Sequence, residues 1–235
     1  MLEKIRLTIN ANKSMLFSGI DSYFHCINKS HFNNYPYNVS YQYNSRGFRD
    51  EEWPSDSLLS ECIWCIGDSF TVGLGSPLEH IWPNVLQKES GKRTINVSMD
   101  GASNSWISRM SSQILKEVSP KNMVVMFSYF SRRELPERVP DLQRRLRFIK
   151  YETFEDDMVN FQTCLRTIEN YKKNTNIIYF AVPKCVANNK KSFLNFPVSN
   201  FLGEVQMLDY ARDYHHFDIL TSQNLVNKII PLLAN

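Results

Sequence analysis

The sequence is short of several things, and each shortage removes a class of protein. No apolar run approaches the ~20 residues needed to span a bilayer, so membrane insertion is not expected. The N-terminus, Met1 to Phe17, lacks a continuous apolar stretch of roughly 7 to 15 residues, so no Sec signal peptide is read there and a cytoplasmic or virion-associated location is expected. Cysteines number 5, an odd count without regular spacing, which speaks against a disulfide framework and for free thiols. Cys62 and Cys65 form C-x-x-C, but inside the apolar run Cys62 to Ile66 and with no second Cys or His pair to complete a zinc site, so they read as core. Glycine is scarce, 8 residues, and no tract is of low complexity, which excludes collagen-like and linker-rich chains. Charge of one sign is also missing. Against 27 Lys and Arg stand 24 Asp and Glu, a net +3, and the one dense basic stretch, Arg132 to Lys150, is broken by Glu134, Glu137 and Asp141. That pattern is a solvated helix face rather than a nucleic-acid footprint.

What remains is ample for a core: 43% hydrophobic and 13% aromatic residues in 235, a length suited to one α/β domain. Residues 1–57 are rich in Asn, Ser and Tyr and read as short strands and loops, an extension packed on a main domain of 58–235, with a turn expected at Gly47. From residue 61 apolar runs alternate with amphipathic segments. Strands are predicted at Cys62 to Gly67, Thr94 to Ser98, Met123 to Phe130 and Asn176 to Val182. Helices are predicted at His80 to Lys88, Asn104 to Val118, Phe154 to Lys173 (Phe161, Cys164, Leu165 and Ile168 sharing a face) and Ser222 to Leu233. The alternation implies an α/β fold, a doubly wound, mostly parallel sheet between helices, with functional residues at the carboxyl ends of strands.

Ser69 follows the first strong strand, in Gly67-Asp68-Ser69-Phe70-Thr71, so it meets the open end of such a sheet beside backbone N–H groups able to face an oxyanion. A serine hydroxyl needs a base, and the base needs a group to orient it. Of 5 histidines, His25, His31 and His80 have no recognisable local acid, whereas His216 has Asp213 three residues ahead, within reach of one turn. Asn104, three residues after Gly101, or the preceding Ser103 reads as the cap of the helix that follows, with Asn104 as a polar contact in a pocket the alternative.

Three blocks in order resemble the SGNH (GDSL-like) hydrolases: Gly67-Asp68-Ser69-Phe70-Thr71, Gly101 in Asn96-Val97-Ser98-Met99-Asp100-Gly101, and Asp213-x-x-His216. The resemblance implies a flavodoxin-like α/β/α sandwich. It also implies a catalytic triad of Ser69 as nucleophile, His216 as general base and Asp213 as orienter, and oxyanion donation from the N–H groups of Ser69 and Gly101. No metal or organic cofactor is implied. The expected reaction is hydrolysis of an O-acyl ester, of a small molecule or a carbohydrate, through an acyl-Ser69 intermediate. Transfer of the acyl group to a sugar, or a non-catalytic module in a homo-oligomer or a larger assembly such as a virus particle, are the rivals. One block departs from the family. Where an Asn normally donates to the oxyanion, Val124 to Arg132 contains none. Counting from the strand start places Ser131 there, and a shift of a residue or two nominates Tyr129 or Arg132. An unreplaced donor typically costs ~100- to 1000-fold in turnover, so a weakened enzyme is expected. The insertion from Arg132 to Asp157 and the Tyr-rich N-terminal segment are expected to rim the pocket.

Overall fold

The computed structural model describes residues 2–134, 153–185 and 200–234. Five strands make its main sheet: β3 (Ile63–Gly67), β4 (Thr94–Ser98), β5 (Asn122–Phe127), β6 (Asn176–Ala181) and β7 (Phe201–Glu204), after a small antiparallel pair, β1 (Ser14–Met15) and β2 (Tyr41–Gln42). The main sheet is parallel throughout, ordered β4-β3-β5-β6-β7. Successive strand side chains point to opposite faces, and every residue of β3, β4 and β5 is buried, so both faces must be covered.

The cover comes from two helix pairs. Helix α3 (Trp82–Ser90) packs on α6 (Ile219–Ile229), and α4 (Asn104–Glu117) on α5 (Phe154–Glu169). Two shorter helices are α1 (Lys29–Asn34) and α2 (Ser69–Val72). In α5 the buried residues are Met158, Phe161, Cys164, Leu165 and Ile168, spaced as one apolar stripe, and a Thr153/Asp156 capping box starts the helix. The result is a three-layer α/β/α sandwich with flavodoxin-like strand order. In that order the chain leaves β3 for one side and returns on the other, opening a crevice beyond the carboxyl ends of β3 and β5.

Most predicted elements stand, with shifted ends. The α3 helix begins at Trp82 after a short 3₁₀ turn at Leu78–His80, α5 stops at Glu169, and α6 starts three residues earlier than expected. Strand β5 ends at Phe127 rather than Phe130, because the Ser128 N–H leaves the ladder to bond Asn104 Oδ1 at 2.8 Å. Strand β7 was not predicted. It is a short edge strand containing Gly203 and joins β6 through an irregular register. Ile5 and Phe48 of the N-terminal segment are fully buried in the same apolar cluster as the sheet, and all five cysteines are buried. Much of the Arg132 to Asp157 insertion lies outside the described residues. Among the described residues no helix is long and apolar enough to cross a membrane, and no cluster of His, Cys, Asp and Glu is suited to a metal ion.

Candidate active site

Strand β3 ends at Gly67, and the chain turns at once into α2, whose first residue is Ser69. The turn is tight enough that a Cβ on Gly67 would fall 2.0 Å from Thr71 Oγ1, so only glycine fits. Asp68 caps α2, its Oδ1 accepting from the Phe70 N–H at 3.0 Å. Ser69, as the first helical residue, keeps a backbone N–H with no intrahelical acceptor. Its side chain is 5% exposed, at the floor of the crevice.

His216 Nε2 lies 2.9 Å from Ser69 Oγ, and His216 Nδ1 lies 2.6 Å from Asp213 Oδ2. A carboxylate only accepts, so Nδ1 carries the proton and Nε2 is left to accept from the serine hydroxyl. Asp213 Oδ1 takes the N–H groups of His215 (2.9 Å) and His216 (3.0 Å), which bends the Asp-x-x-His loop into one turn. Burial alone would raise the Asp213 pKa. The bonds from the His216 ring and from the two N–H groups outweigh it and hold the carboxyl below its ordinary value. Burial, helped by the neighbouring His216 charge, pushes the His215 pKa down.

Three of the residues singled out in the sequence thus converge, although Ser69 and His216 are 147 positions apart. Gly101 sits in a left-handed turn after β4 (φ 72°). Ser131 is exposed and makes no hydrogen bond to Ser69 or His216 among the described residues. With β5 closing at Phe127, the loop instead brings Ser128 and Arg132 to the Asp68 carboxylate. Of the two cap candidates, Asn104 does not cap α4. Ser103 is the cap, through its bond from the Trp106 N–H, while Asn104 holds both the N–H and the carbonyl of Ser128.

The N-terminal segment builds the layer behind these residues, which sequence reasoning missed. Arg49 is 1% exposed and donates to the carbonyls of Ser40, Val72, Gly73 and Ser76, fixing the loop after α2, while its guanidinium lies 4.4 Å from the Tyr41 ring. Tyr41 Oη accepts from the Gly75 N–H and donates to Asp21 Oδ2. Asp21 in turn forms a two-bond ion pair with Arg212, the residue before Asp213. Gly75 packs against the same loop so closely that a Cβ would meet Asp213 Cγ at 3.1 Å. Each link spans a long stretch of chain, so no local pattern announces it.

A groove of about 350 Å³ between α4 and α5, lined by Ser105, Arg109, Gln113 and Thr163 among others, contains none of these residues.

No protein-family model and no curated protein sequence matches the chain. Solved structures similar to it include a family two carbohydrate esterase from Clostridium thermocellum in complex with cellohexaose, at 11% identity over 77% of this chain and 65% of that one, with a TM-score of 0.48. An acetyl xylan esterase from the rumen bacterium Butyrivibrio proteoclasticus is 12% identical over 77% of this chain and 64% of that one, with a TM-score of 0.46. A protein assigned to the lipolytic G-D-S-L family, from Desulfitobacterium hafniense DCB-2, is 15% identical over 73% of this chain and 98% of that one, also at 0.46.

Proposed function

We propose that the chain is an SGNH-type serine esterase that cleaves an O-acyl ester, the alcohol being a carbohydrate, through an acyl-Ser69 intermediate. The observation that carries this reading is the unbroken hydrogen-bonded line from Asp213 through His216 to Ser69, closed at both ends by short contacts. His216 takes the hydroxyl proton as Ser69 Oγ bonds to the ester carbon. It then returns that proton to the leaving alcohol and activates the water that frees the acid. Asp213, kept ionised, fixes the ring and stabilises the imidazolium. The N–H groups of Ser69 and Gly101 are the proposed backbone donors to the oxyanion.

The sugar preference rests on Tyr210 and Tyr214, which stack on one another at 4.6 Å and are 42% and 37% exposed, Tyr214 lying within the Asp213–His216 turn and Tyr210 three residues before it. A partly exposed aromatic pair offers flat apolar surface with polar tips, which suits the mixed faces of a sugar ring. The test is a fluorophosphonate probe followed by mass mapping. Labelling is expected on Ser69 and is lost in His216→Ala. Folded wild-type protein that stays unlabelled would remove the reading. Release of acid compared with and without a sugar acceptor separates hydrolysis from acyl transfer.

A further inference from the structure

The loop after β5 holds a cation where the related hydrolases place an asparagine. Arg132 Nη1 donates to Asp68 Oδ2 at 3.0 Å and Ser128 Oγ at 2.9 Å, and lies 3.4 Å from the Ala102 carbonyl. Those partners are informative. Asp68 immediately precedes Ser69, and Ala102 immediately follows Gly101, so a single guanidinium nitrogen bridges the two backbone segments that carry the proposed oxyanion N–H donors. The anchor is firm, since Asp68 is 0% exposed, is also bonded by Ser128 Oγ at 2.6 Å, and is the cap of α2. The guanidinium carbon lies 5.2 Å from the centre of the Tyr129 ring, which supports the group from one side. Nε and Nη2 of Arg132 make no hydrogen bond among the described residues, and the side chain is 28% exposed.

Resting on the esterase reading above, we infer that Arg132 is a catalytic residue, its free guanidinium N–H groups receiving the carbonyl oxygen of the ester as it becomes an oxyanion. In that step the Ser69 Oγ–carbon bond forms, the hydroxyl proton moves to His216 Nε2, and the carbonyl π pair moves onto the oxygen. The same oxygen is held again when the tetrahedral species collapses, expelling the alcohol with the proton from His216. A guanidinium cannot lose its own proton at working pH, so this donor is permanently charged, unlike an asparagine amide. Tyr129 and Ser131, the other two residues within reach by sequence, are assigned different places: Tyr129 beneath the guanidinium and Ser131 at the surface.

The experiment is steady-state hydrolysis of 4-nitrophenyl acetate by the full chain as wild type, Ser69→Ala, Arg132→Ala and Arg132→Lys. Arg132→Ala is expected to lower kcat about 100- to 1000-fold with KM nearly unchanged, the size of one lost oxyanion donor. Added guanidinium at non-denaturing concentration is expected to restore part of the rate in Arg132→Ala and none in Ser69→Ala. Arg132→Lys keeps the ion pair to Asp68 but lacks the planar fork, and is expected to lose at least about tenfold in kcat; it supplies the reading if Arg132→Ala does not fold. Ser69-dependent turnover that stays at the wild-type kcat in Arg132→Ala or Arg132→Lys, or a change confined to KM, overturns the role of Arg132 and leaves the esterase standing. Wild-type turnover no faster than that of Ser69→Ala overturns both.

Discussion

Two histidine–aspartate pairs lie close together in this fold, and they have the same residue types at nearly the same distance. His216 Nδ1 meets Asp213 at 2.6 Å, and His80 Nδ1 meets Asp218 at 2.8 Å, with both carboxylates buried. They differ in what lies on the far side of each group. Asp213 spends its second oxygen on the backbone of its own turn, and the far nitrogen of its histidine is aimed at Ser69 Oγ. Asp218 is instead bonded by the Tyr35 hydroxyl, and the His80 ring stands edge-on to Tyr37 at 4.6 Å. The second pair joins the N-terminal segment, the turn before α3 and the start of α6. Although Asp218 occupies the cap position of α6, its side chain does not cap. Asp209 takes that role, accepting from the N–H groups of Leu220 and Thr221. A histidine–carboxylate pair is therefore not evidence of a base until a third group completes the line.

Removing each histidine in turn is the strongest way to break the comparison. His216→Ala is expected to reduce kcat on the order of 10⁴- to 10⁶-fold, as loss of a triad base does, with a modest change in melting temperature. His80→Ala is expected to leave kcat within about threefold and instead to lower stability by roughly 1–3 kcal/mol, because Asp218 stays buried with one partner fewer. Esterase assay and thermal melting on both variants check this. Large loss of turnover in His80→Ala with stability intact would make the second pair part of the chemistry.

The same contrast explains how far the sequence could be read. Asp213 and His216 are three residues apart, so the pair is visible as a local pattern, whereas His80 and Asp218 are separated by 138 positions and share no signal. The central strands were legible because burial on both faces writes itself as continuous apolar runs. Their ends were less so. Ser128 is apolar in neither type nor role, yet it followed the run closely enough to be counted into β5, and the bond to Asn104 that ends the strand comes from another element. Strand β7 was hidden by its brevity and by Gly203, and the Arg49 and Asp21–Arg212 contacts by their span.

A smaller effect sharpens the comparison from the structural side. Tyr35→Phe removes one donor from Asp218 and nothing from Asp213, so it is expected to cost roughly 1.5–3 kcal/mol, the range for a hydrogen bond to a charged group. Burial and the Asp218 contact together hold the Tyr35 hydroxyl far above its ordinary pKa, so it remains a donor across the working range. Denaturant unfolding measures the loss, and kcat is expected to stay at the wild-type value. A fall in kcat that outlasts restored stability, for example at low temperature, would mean that the two pairs are coupled through the His216–Asp218 segment.

The smallest effect concerns acid. The Asp213 carboxyl is held below its ordinary value of 3.8, so its folded pKa lies under its unfolded one. A group with that sign contributes stability that is fully present above the unfolded value and is lost as pH falls through the folded value. Asp213→Asn deletes the contribution at every pH. The stability gap between wild type and Asp213→Asn, measured by denaturant unfolding, is therefore expected to be constant from neutral pH down to about 5, to narrow below 3.8, and to close at the lowest pH where both still fold. A gap that widened on acidification would mean that the buried carboxyl is protonated more readily than a free one, and that the His216 ring and the two N–H groups do not outweigh its burial.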